Sequence, residues 1–393
     1  MGFRNRPAGV YDVGRHRGEA MTYDAIVLGL GGMGSAAAAT MARRGARVLG
    51  LEQFGFAHHR GSSHGRTRII RTAYYEHPAY VPLVRRAFTL WAELEGRTGK
   101  KLLTPCPCLC VGTPDGELIR GVQRAAVEHA LPVETLSAKE VESRFPQFRI
   151  PENFTGTLEQ SAGILAVEAC VQAHIDDAIA HGAEMRTDEP VIGYEVITGG
   201  VEVTTTKGVY HAGKLVITAG AWATRLLADI GVPLTVMRQV QWWFHTANAR
   251  WDHRLFPVFL LDTPDGAFYG LPYTDLGDVK VAQHYAAPEL PSPDGVEWAV
   301  KSDEVEPVCR FLRAHLPSLT PVPSASEVCM YTLTPDRHFV IDLHPEFPEV
   351  AVACGFSGHG FKFAPTVGEI LADLTLTGRT AHPIELFRAS RFL

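Results

Sequence analysis

No stretch of this 393-residue chain approaches eighteen uninterrupted apolar residues, which leaves nothing to cross a membrane as a helix. Basic residues are not in excess. Lys and Arg number 37 against 43 Asp and Glu, a formal charge of -6, so the electrostatic footprint of a nucleic-acid binder is missing. Cysteine is scarce and odd in number, seven in all, and no apolar core marks the first twenty residues as a secretory signal. A disulfide framework is therefore not expected, and the compartment reads as cytoplasmic. Cys106, Cys108 and Cys110 alternate along a strand-like run and would share one face. They lack the two-residue gap and the further ligands of a metal site, so they read as buried thiols and no metal is expected. Repeats and low-complexity tracts are absent as well. What remains, 46% hydrophobic and 20% charged, is an ordinary globular composition, long enough for two domains.

The most informative thirty residues run from Tyr23 to Glu52. An apolar β-branched run leads into Gly29-x-Gly31-x-x-Gly34, an Ala-rich helix follows, and a second apolar run ends in an acid. Gly29 permits a tight turn, Gly31 lets the backbone approach a pyrophosphate, and Gly34 lets helix pack on strand. The helix opening here aims free N–H groups and its positive dipole end at phosphates. Glu52, roughly twenty residues on, stands where a carboxylate accepts both ribose hydroxyls and repels a 2′-phosphate. The pattern predicts a dinucleotide bound through adenosine diphosphate. Met21 then looks like the functional start, and residues 1–20, rich in Arg and Gly, read as a disordered extension without a catalytic role.

Strand–helix alternation does not resume directly after Glu52, as it would in a nicotinamide enzyme. A Gly/Ser/His loop over 53–65 comes first, then an amphipathic helix from Ala79 to Gly96 with Leu83, Ala87, Leu90, Trp91 and Leu94 on one face. Residues 106–160 read as mixed strands and helices. The βα pattern returns over Gly163–Met185, followed by a hairpin at 191–206, a strand at 214–220 and a helix from Trp222 to Ile230. From Val232 to Val300 the text is strand-rich and aromatic. Strands at 327–334, 338–343 and 349–354 precede a last helix from Gly360 to Leu376, stopped by Gly378. The expected fold is α/β (α+β mixed), a Rossmann-type FAD-binding domain interleaved with a sheet-rich substrate domain. Residues 21–97, 151–231 and 325–393 go to the first, 98–150 and 232–324 to the second. An extended FAD running from one into the other suits that interleaving.

Two segments could carry chemistry. In SSHGRTRIIRTAYYE, Arg68 and Arg71 flank Ile69 and Ile70, poorly placed for a merely solvated face. One could clamp a carboxylate bidentately and the other place positive charge by a flavin ring, with Glu76 holding one of them. In GFSGHGFK, the glycines let backbone approach a planar ring, and the helix beginning there turns its dipole toward the flavin pyrimidine edge. Lys362 in its first turn is disfavoured by that dipole, so an anionic ligand compensates.

The segments HGRTRIIRTAYYEHPAYVPLV, VCMYTLTPDRHFVIDLHP and GFSGHGFKFAPTVGEIL carry a resemblance that covers all but the first twenty residues. The chain is similar to the monomeric sarcosine oxidase family, close to N-methyltryptophan oxidase and pipecolate oxidase, among the D-amino-acid-oxidase-like flavoproteins. The resemblance implies FAD joined as an 8α-thioether to Cys329. Arg71 and Lys362 then grip the substrate carboxylate, Glu76 supports Arg71, and Arg68 lies over the flavin face. Tyr269, His284, Tyr331 and His359 line the substrate pocket, Lys280 activates dioxygen and His64 sits beside the flavin. Ser62, Thr67, Val191, Gly220, Gly358 and Gly360 complete the implied cofactor contacts. Ser63, where the family often has a histidine, and Tyr75, in place of a glycine, depart from the pattern, and the segment Gln239–Trp243 is bulky for the smallest substrate. These departures leave the chemistry intact and put substrate size in question.

The implied reaction is oxidation of a secondary, N-methyl amino acid to the primary amino acid, formaldehyde and hydrogen peroxide, by a monomer whose partners are the amino acid and dioxygen. A bulkier N-methyl amino acid, or a cyclic one of pipecolate or proline type, is the alternative substrate. A non-catalytic flavin-binding subunit is the different-class alternative. Arg71, Lys362 and Lys280 together weigh against it, because a passive binder needs neither clamp nor oxygen-site cation.

Overall fold

A computed structural model describes residues 23–274 and 277–392, so the expected extension over residues 1–20 and the start at Met21 lie outside the described residues. The fingerprint strand Tyr23–Leu28 lies at the centre of an eight-stranded sheet. It pairs in parallel with Val48–Leu51 on one side and Val209–Ile217 on the other. Glu184–Arg186 extends the first flank in parallel, and Val350–Cys354 joins the second, with Val340–Leu343 antiparallel beyond it. Ile26 and Val27 are fully buried, as a strand covered on both faces requires, which is why this segment reads as continuous apolar text. All the parallel strands end at the same edge, so the turns after Leu28, Leu51, Ile217 and Cys354 gather there. That edge is where an open α/β sheet binds its ligand. The expected hairpin forms as Val191–Ile197 and Gly200–Thr205 and pairs onto the first half of Val209–Ile217.

The fingerprint helix Gly32–Arg43 buries Ala36, Ala37, Ala38 and Ala39. Side chains this small let the last helix, Ala364–Thr377, approach closely, and a 3₁₀ turn at Phe361–Phe363 precedes that helix. The amphipathic helix spans Tyr80–Thr98 and buries all five predicted face residues. Gly99 and Gly378, at φ 67° and 74°, end their helices in the left-handed conformation that glycine adopts without strain.

Two expectations change. The strand before the helix Val167–Ala180 does not enter the parallel sheet. Gly163–Ala166 instead pairs antiparallel with Thr67–Ile70 and Leu103–Pro105 in a small three-stranded sheet. Leu103–Pro105 comes so near that a Cβ on Gly163 would lie 2.8 Å from the Thr104 carbonyl oxygen. The helix expected over Trp222–Ile230 is broken into a 3₁₀ turn at Gly220–Trp222, one α-turn at Ala223–Leu226 and a second 3₁₀ turn at Ala228–Ile230. There the Thr224 hydroxyl donates to the Ala221 carbonyl at 2.9 Å, offering the backbone a local alternative to the helical ladder.

A nine-stranded sheet forms the other layer, running in order through Glu289–Leu290, Thr235–His245, Asp278–Gln283, Gly266–Leu271, Val258–Thr263, Cys108–Gly112, Thr155–Glu159 and Val133–Ser137. Ala325–Leu333 pairs along Thr235–His245. Thr155–Glu159 and Ala325–Leu333, set with the cofactor segments in the sequence division, are therefore hydrogen-bonded into this sheet, because strand pairing crosses the block boundaries. Alternation along Ala325–Leu333 puts Cys329, Tyr331 and Leu333 with Met237 on one face, and Val328 and Met330 on the other. Cys106, Cys108 and Cys110 are free thiols sharing one buried cluster. No helix among the described residues is long and apolar enough to cross a membrane.

Gly368 packs so closely on the fingerprint helix that a Cβ there would lie 2.5 Å from the Ala36 carbonyl carbon. Gly368→Ala is expected to destabilise the protein by about 1–3 kcal/mol through overpacking. Gly96→Ala, on an exposed stretch of Tyr80–Thr98 where a Cβ meets nothing within 4 Å, is expected to stabilise by about 0.5–1 kcal/mol. Urea denaturation of both variants reads the two signs. A Gly368→Ala protein as stable as its parent overturns the close-contact argument.

Candidate active site

A cavity of about 740 Å³ runs from the fingerprint loop to the start of the last helix. At its first end Gly29 holds φ 85°, and a Cβ there would sit 2.7 Å from the Thr218 carbonyl oxygen. A Cβ on Gly34 would lie 1.8 Å from the Gly29 carbonyl oxygen, so strand and helix touch backbone to backbone. Gly31 differs: its Cβ would meet nothing nearer than Ser63 Oγ at 3.4 Å, and the residue lines the cavity, so its open side can face a pyrophosphate. Glu52 is buried, with Oε2 accepting from the Leu30 amide at 2.9 Å and Oε1 from the Phe54 amide at 3.1 Å. A carboxylate has about four acceptor sites, so capacity remains for ribose hydroxyls. Val191 and Gly220 complete this end of the wall. The residues present fit the adenosine diphosphate half of FAD.

Further along, Ser62 Oγ donates to the Met330 carbonyl at 2.6 Å, tying the loop after the fingerprint to the strand that carries Cys329. Arg68 lines the cavity. Its guanidinium donates to the carbonyls of Thr67 and Ser62 at 2.9 and 3.0 Å and to Gln241 Oε1 at 3.1 Å. Cys329 is buried in the wall, and burial pushes its thiol pKa up while Arg68 and Lys280 pull it down. Four predicted residues, Gly34, His64, Thr67 and Lys280, stand behind the wall instead of in it. Lys280 Nζ donates to the carbonyls of Gly65 and Thr67 at 3.0 and 3.1 Å and lies 5.3 Å from the Trp243 ring. Burial, then the charge of Arg68, hold its pKa well below that of an ordinary lysine. His64 pairs through Nδ1 with Glu327 at 3.1 Å, and its buried Nε2 has no hydrogen-bond partner among the described residues.

The loop glycines, both in the cavity wall, also have a packing role. A Cβ on Gly358 would lie 2.5 Å from the Tyr331 ring, and one on Gly360 2.5 Å from the Phe356 ring. These glycines let the loop pack on aromatic side chains of the protein itself. The bulk at Gln239–Trp243 also lies elsewhere than expected. Trp242 is in the core of the second layer, Trp243 sits beneath Arg66 and Lys280, and neither lines the cavity.

At the far end Arg71 is 3% exposed. Its Nη2 donates to both Glu76 oxygens at 2.9 and 2.7 Å and its Nη1 to the Ala73 carbonyl at 2.9 Å. Nε–H and the second Nη1 hydrogen are left over from the five donors of a guanidinium. Burial opposes charge on Glu76, but Arg71, His359 and Lys362 bring its pKa down to about 2. Lys362 Nζ donates to the His359 carbonyl at 2.6 Å and to the Tyr74 hydroxyl at 3.3 Å. Burial and Arg71 lower its pKa to about 7, with Glu76 working the other way. Two cations thus share one buried carboxylate.

Around the clamp the imidazoles are neutral. Burial lowers His359 to about 4 and His284 to about 3. His359 Nε2 faces the Arg337 carbonyl at 3.0 Å and must donate to it, so Nδ1 accepts from the Tyr74 hydroxyl at 2.7 Å. His284 meets the Tyr331 hydroxyl at 3.0 Å, and the Tyr269 ring stands 6.1 Å from His284. The structure therefore brings Arg68, Arg71, Glu76, Tyr269, His284, Cys329, Tyr331, His359 and Lys362 to one cavity. Tyr74 and Gln241 were missed. Tyr74 lies between Arg71 and Glu76, and Gln241 is, with Gln239, one of two amides in aromatic strand text, a signal that could have been read.

Residues 24–374 match the family model described as FAD dependent oxidoreductase. The chain is 45% identical over 376 residues to a monomeric sarcosine oxidase of Streptomyces avermitilis, covering 94% of this chain and 98% of that one. It is 36% identical over 375 residues to an N-methyl-L-tryptophan oxidase of Yersinia pestis, covering 95% and 100%. Among solved structures, NikD, described as an unusual amino acid oxidase essential for nikkomycin biosynthesis, matches with a TM-score of 0.82 at 28% identity, over 94% of this chain and 98% of that one.

The pKa of Lys362, about 7, makes anion binding pH-dependent. A bound carboxylate favours the ammonium and raises that pKa in the complex. Affinity is then complete below about pH 7 and falls as pH rises, at most tenfold per pH unit, until the pKa of the complex is reached. Acetate titrations across that range, read by the flavin absorbance of the holoprotein, should show this slope, and Lys362→Met should flatten it. A pH-independent dissociation constant in the parent protein refutes the coupling.

Proposed function

The chain belongs to the FAD dependent oxidoreductase family, and from that premise we propose that its cavity oxidises a secondary N-methyl amino acid of the sarcosine type. The substrate, dioxygen and water give the primary amino acid, formaldehyde and hydrogen peroxide. The observation that carries this reading is the buried Arg71 guanidinium beside Lys362 at the far end of the cavity, where among the described residues Glu76 is the carboxylate ion-paired to Arg71 and part of the guanidinium edge is left open. A substrate carboxylate accepts from the Nε–H and Nη1–H that Glu76 and Ala73 leave free. Sarcosine oxidation in the relative at 45% identity supports the choice of amine.

FAD, when bound, supplies the hydride acceptor and passes the electrons to dioxygen. The protein's share is positioning and charge. Fixing the carboxylate places the N-methyl carbon at a set distance from the clamp, so orientation is paid before reaction. The same two cations lower the pKa of the substrate amine, which must give up its proton before its lone pair can assist C–H cleavage. Neutral His284 and His359 add no charge that would compete for the carboxylate. Lys280, behind the wall, is the cation assigned to dioxygen reduction. Negative charge developing nearby restores the proton that burial disfavours. Cys329 is assigned as the covalent attachment point, supported by its place in the cavity wall between Met330 and Val328 and beside Arg68. A cytoplasmic monomer completes the reading.

Anaerobic mixing with sarcosine should bleach the flavin band, while dimethylamine, which lacks the carboxylate, should leave it nearly unchanged. Arg71→Lys keeps a charge but not the planar fork, and should lose on the order of 2–4 kcal/mol of transition-state binding in kcat/KM. Comparable turnover of the carboxylate-free amine sinks the clamp and the amino-acid substrate with it.

The linkage is tested on a denaturing gel. The parent protein should remain fluorescent, and Cys329→Ser should release its flavin into the acid supernatant. Complete loss of flavin from the denatured parent refutes attachment at Cys329 and leaves a noncovalent site intact.

A further inference from the structure

Tyr75 lines the cavity beside the clamp yet takes no part in the chemistry described above. Its neighbours are both tied down: Tyr74 is hydrogen-bonded to His359 and Lys362, and Glu76 is ion-paired to Arg71. Its own backbone cannot retreat. The helix Glu117–Glu128 presses Gly121 against it so closely that a Cβ there would lie 2.2 Å from the Tyr75 carbonyl oxygen. The ring lies over the Arg71 guanidinium, 4.8 Å from ring centroid to carbon, and the Tyr74 ring lies over it at 4.3 Å. Two aromatic rings thus pack against the guanidinium, and Glu76 and Ala73 accept from part of its edge. A carboxylate must arrive at the free N–H groups from the cavity, and Tyr75 lines that cavity next to Arg71, so the carbon bearing the carboxylate comes into the space the ring borders. A methylene fits at that point, whereas a large substituent must displace a ring held by its backbone and by a cation–π contact.

We propose that Tyr75 is a specificity-determining residue: its ring limits the substituent on the substrate α-carbon, so the cavity takes N-methyl amino acids without a bulky side chain. This rests on the N-methyl amino acid reading given above and narrows it. Steric discrimination of this kind in a hydrophobic pocket is worth roughly ten- to two-hundredfold per group.

The test compares the parent holoprotein with Tyr75→Ala and Tyr75→Phe. In Tyr75→Ala the ratio of kcat/KM for N-methyl-L-phenylalanine to that for sarcosine should rise at least about tenfold. Tyr75→Phe, which keeps the ring, should leave that ratio within about threefold of the parent. Dissociation constants for acetate and 3-phenylpropanoate, read from the flavin absorbance, give the same comparison without turnover. The preference for acetate should fall about tenfold in Tyr75→Ala. Unchanged ratios in both measurements overturn the proposal. So does a larger loss for the bulky ligand than for the small one, which would make Tyr75 a stacking platform. If neither amine bleaches the flavin while the carboxylate preference shifts as expected, the N-methyl amino acid reading fails and the size limit at Tyr75 stands.

Discussion

A guanidinium removed from water must find both charge and hydrogen bonds, and the far half of this protein is arranged around that requirement at Arg71. Glu76 supplies the charge, Ala73 a carbonyl, and Tyr74 and Tyr75 the π faces. Replacing such a buried pair with apolar residues is often neutral or even stabilising, so its presence argues for use more than for stability. Lys362 adds a second cation in the same buried space and pays in a lowered pKa, which a protein built only for stability would avoid. The neutral imidazoles of His284 and His359 follow first from burial in the same enclosed space, which disfavours their charged form.

How the two layers meet explains where the chemistry lies. Val350–Cys354 delivers the loop of Gly355–Gly360 to the carboxyl edge of the parallel sheet, and Ala325–Leu333 delivers Cys329 and Tyr331 from the nine-stranded sheet. Ser62, in the loop that follows the fingerprint unit, ties that loop to Ala325–Leu333 through the Met330 carbonyl. The cavity is therefore shared between layers, and neither sheet alone would supply both a dinucleotide cradle and a carboxylate clamp.

Much of this was legible in the residues. The fingerprint could be read because each glycine answers a local demand, at Gly29 a positive φ and at Gly34 a backbone contact. The helix Tyr80–Thr98 was legible from its period, and Cys106, Cys108 and Cys110 from theirs. What failed depended on partners distant in the chain. Apolar text at Gly163–Ala166 looks the same whether it pairs in parallel with the fingerprint strand or antiparallel with Thr67–Ile70. Trp242 and Trp243 looked like pocket bulk, but strand alternation and neighbouring sheets sent them to the core. The hydrogen bond from Tyr74 to His359 joins residues 285 apart, and no local pattern announces it. The role of Lys280 rests on resemblance alone, and the structure sets its side chain one layer behind the cavity wall.

That long reach has a consequence in time. Tyr74 and Lys362, whose side chains meet in the clamp, are separated by 288 residues. On a ribosome adding about 5–20 residues per second, Lys362 is made roughly 15–60 s after Tyr74. During that interval the Arg71–Glu76 pair can form but lacks its second cation, and the parallel sheet still waits for Val350–Cys354. Through that interval the nascent chain carries a complete dinucleotide fingerprint while Lys362 and the loop of Gly355–Gly360 are still missing from the cavity wall. Cofactor can be held at both ends only once the final segment has left the exit tunnel.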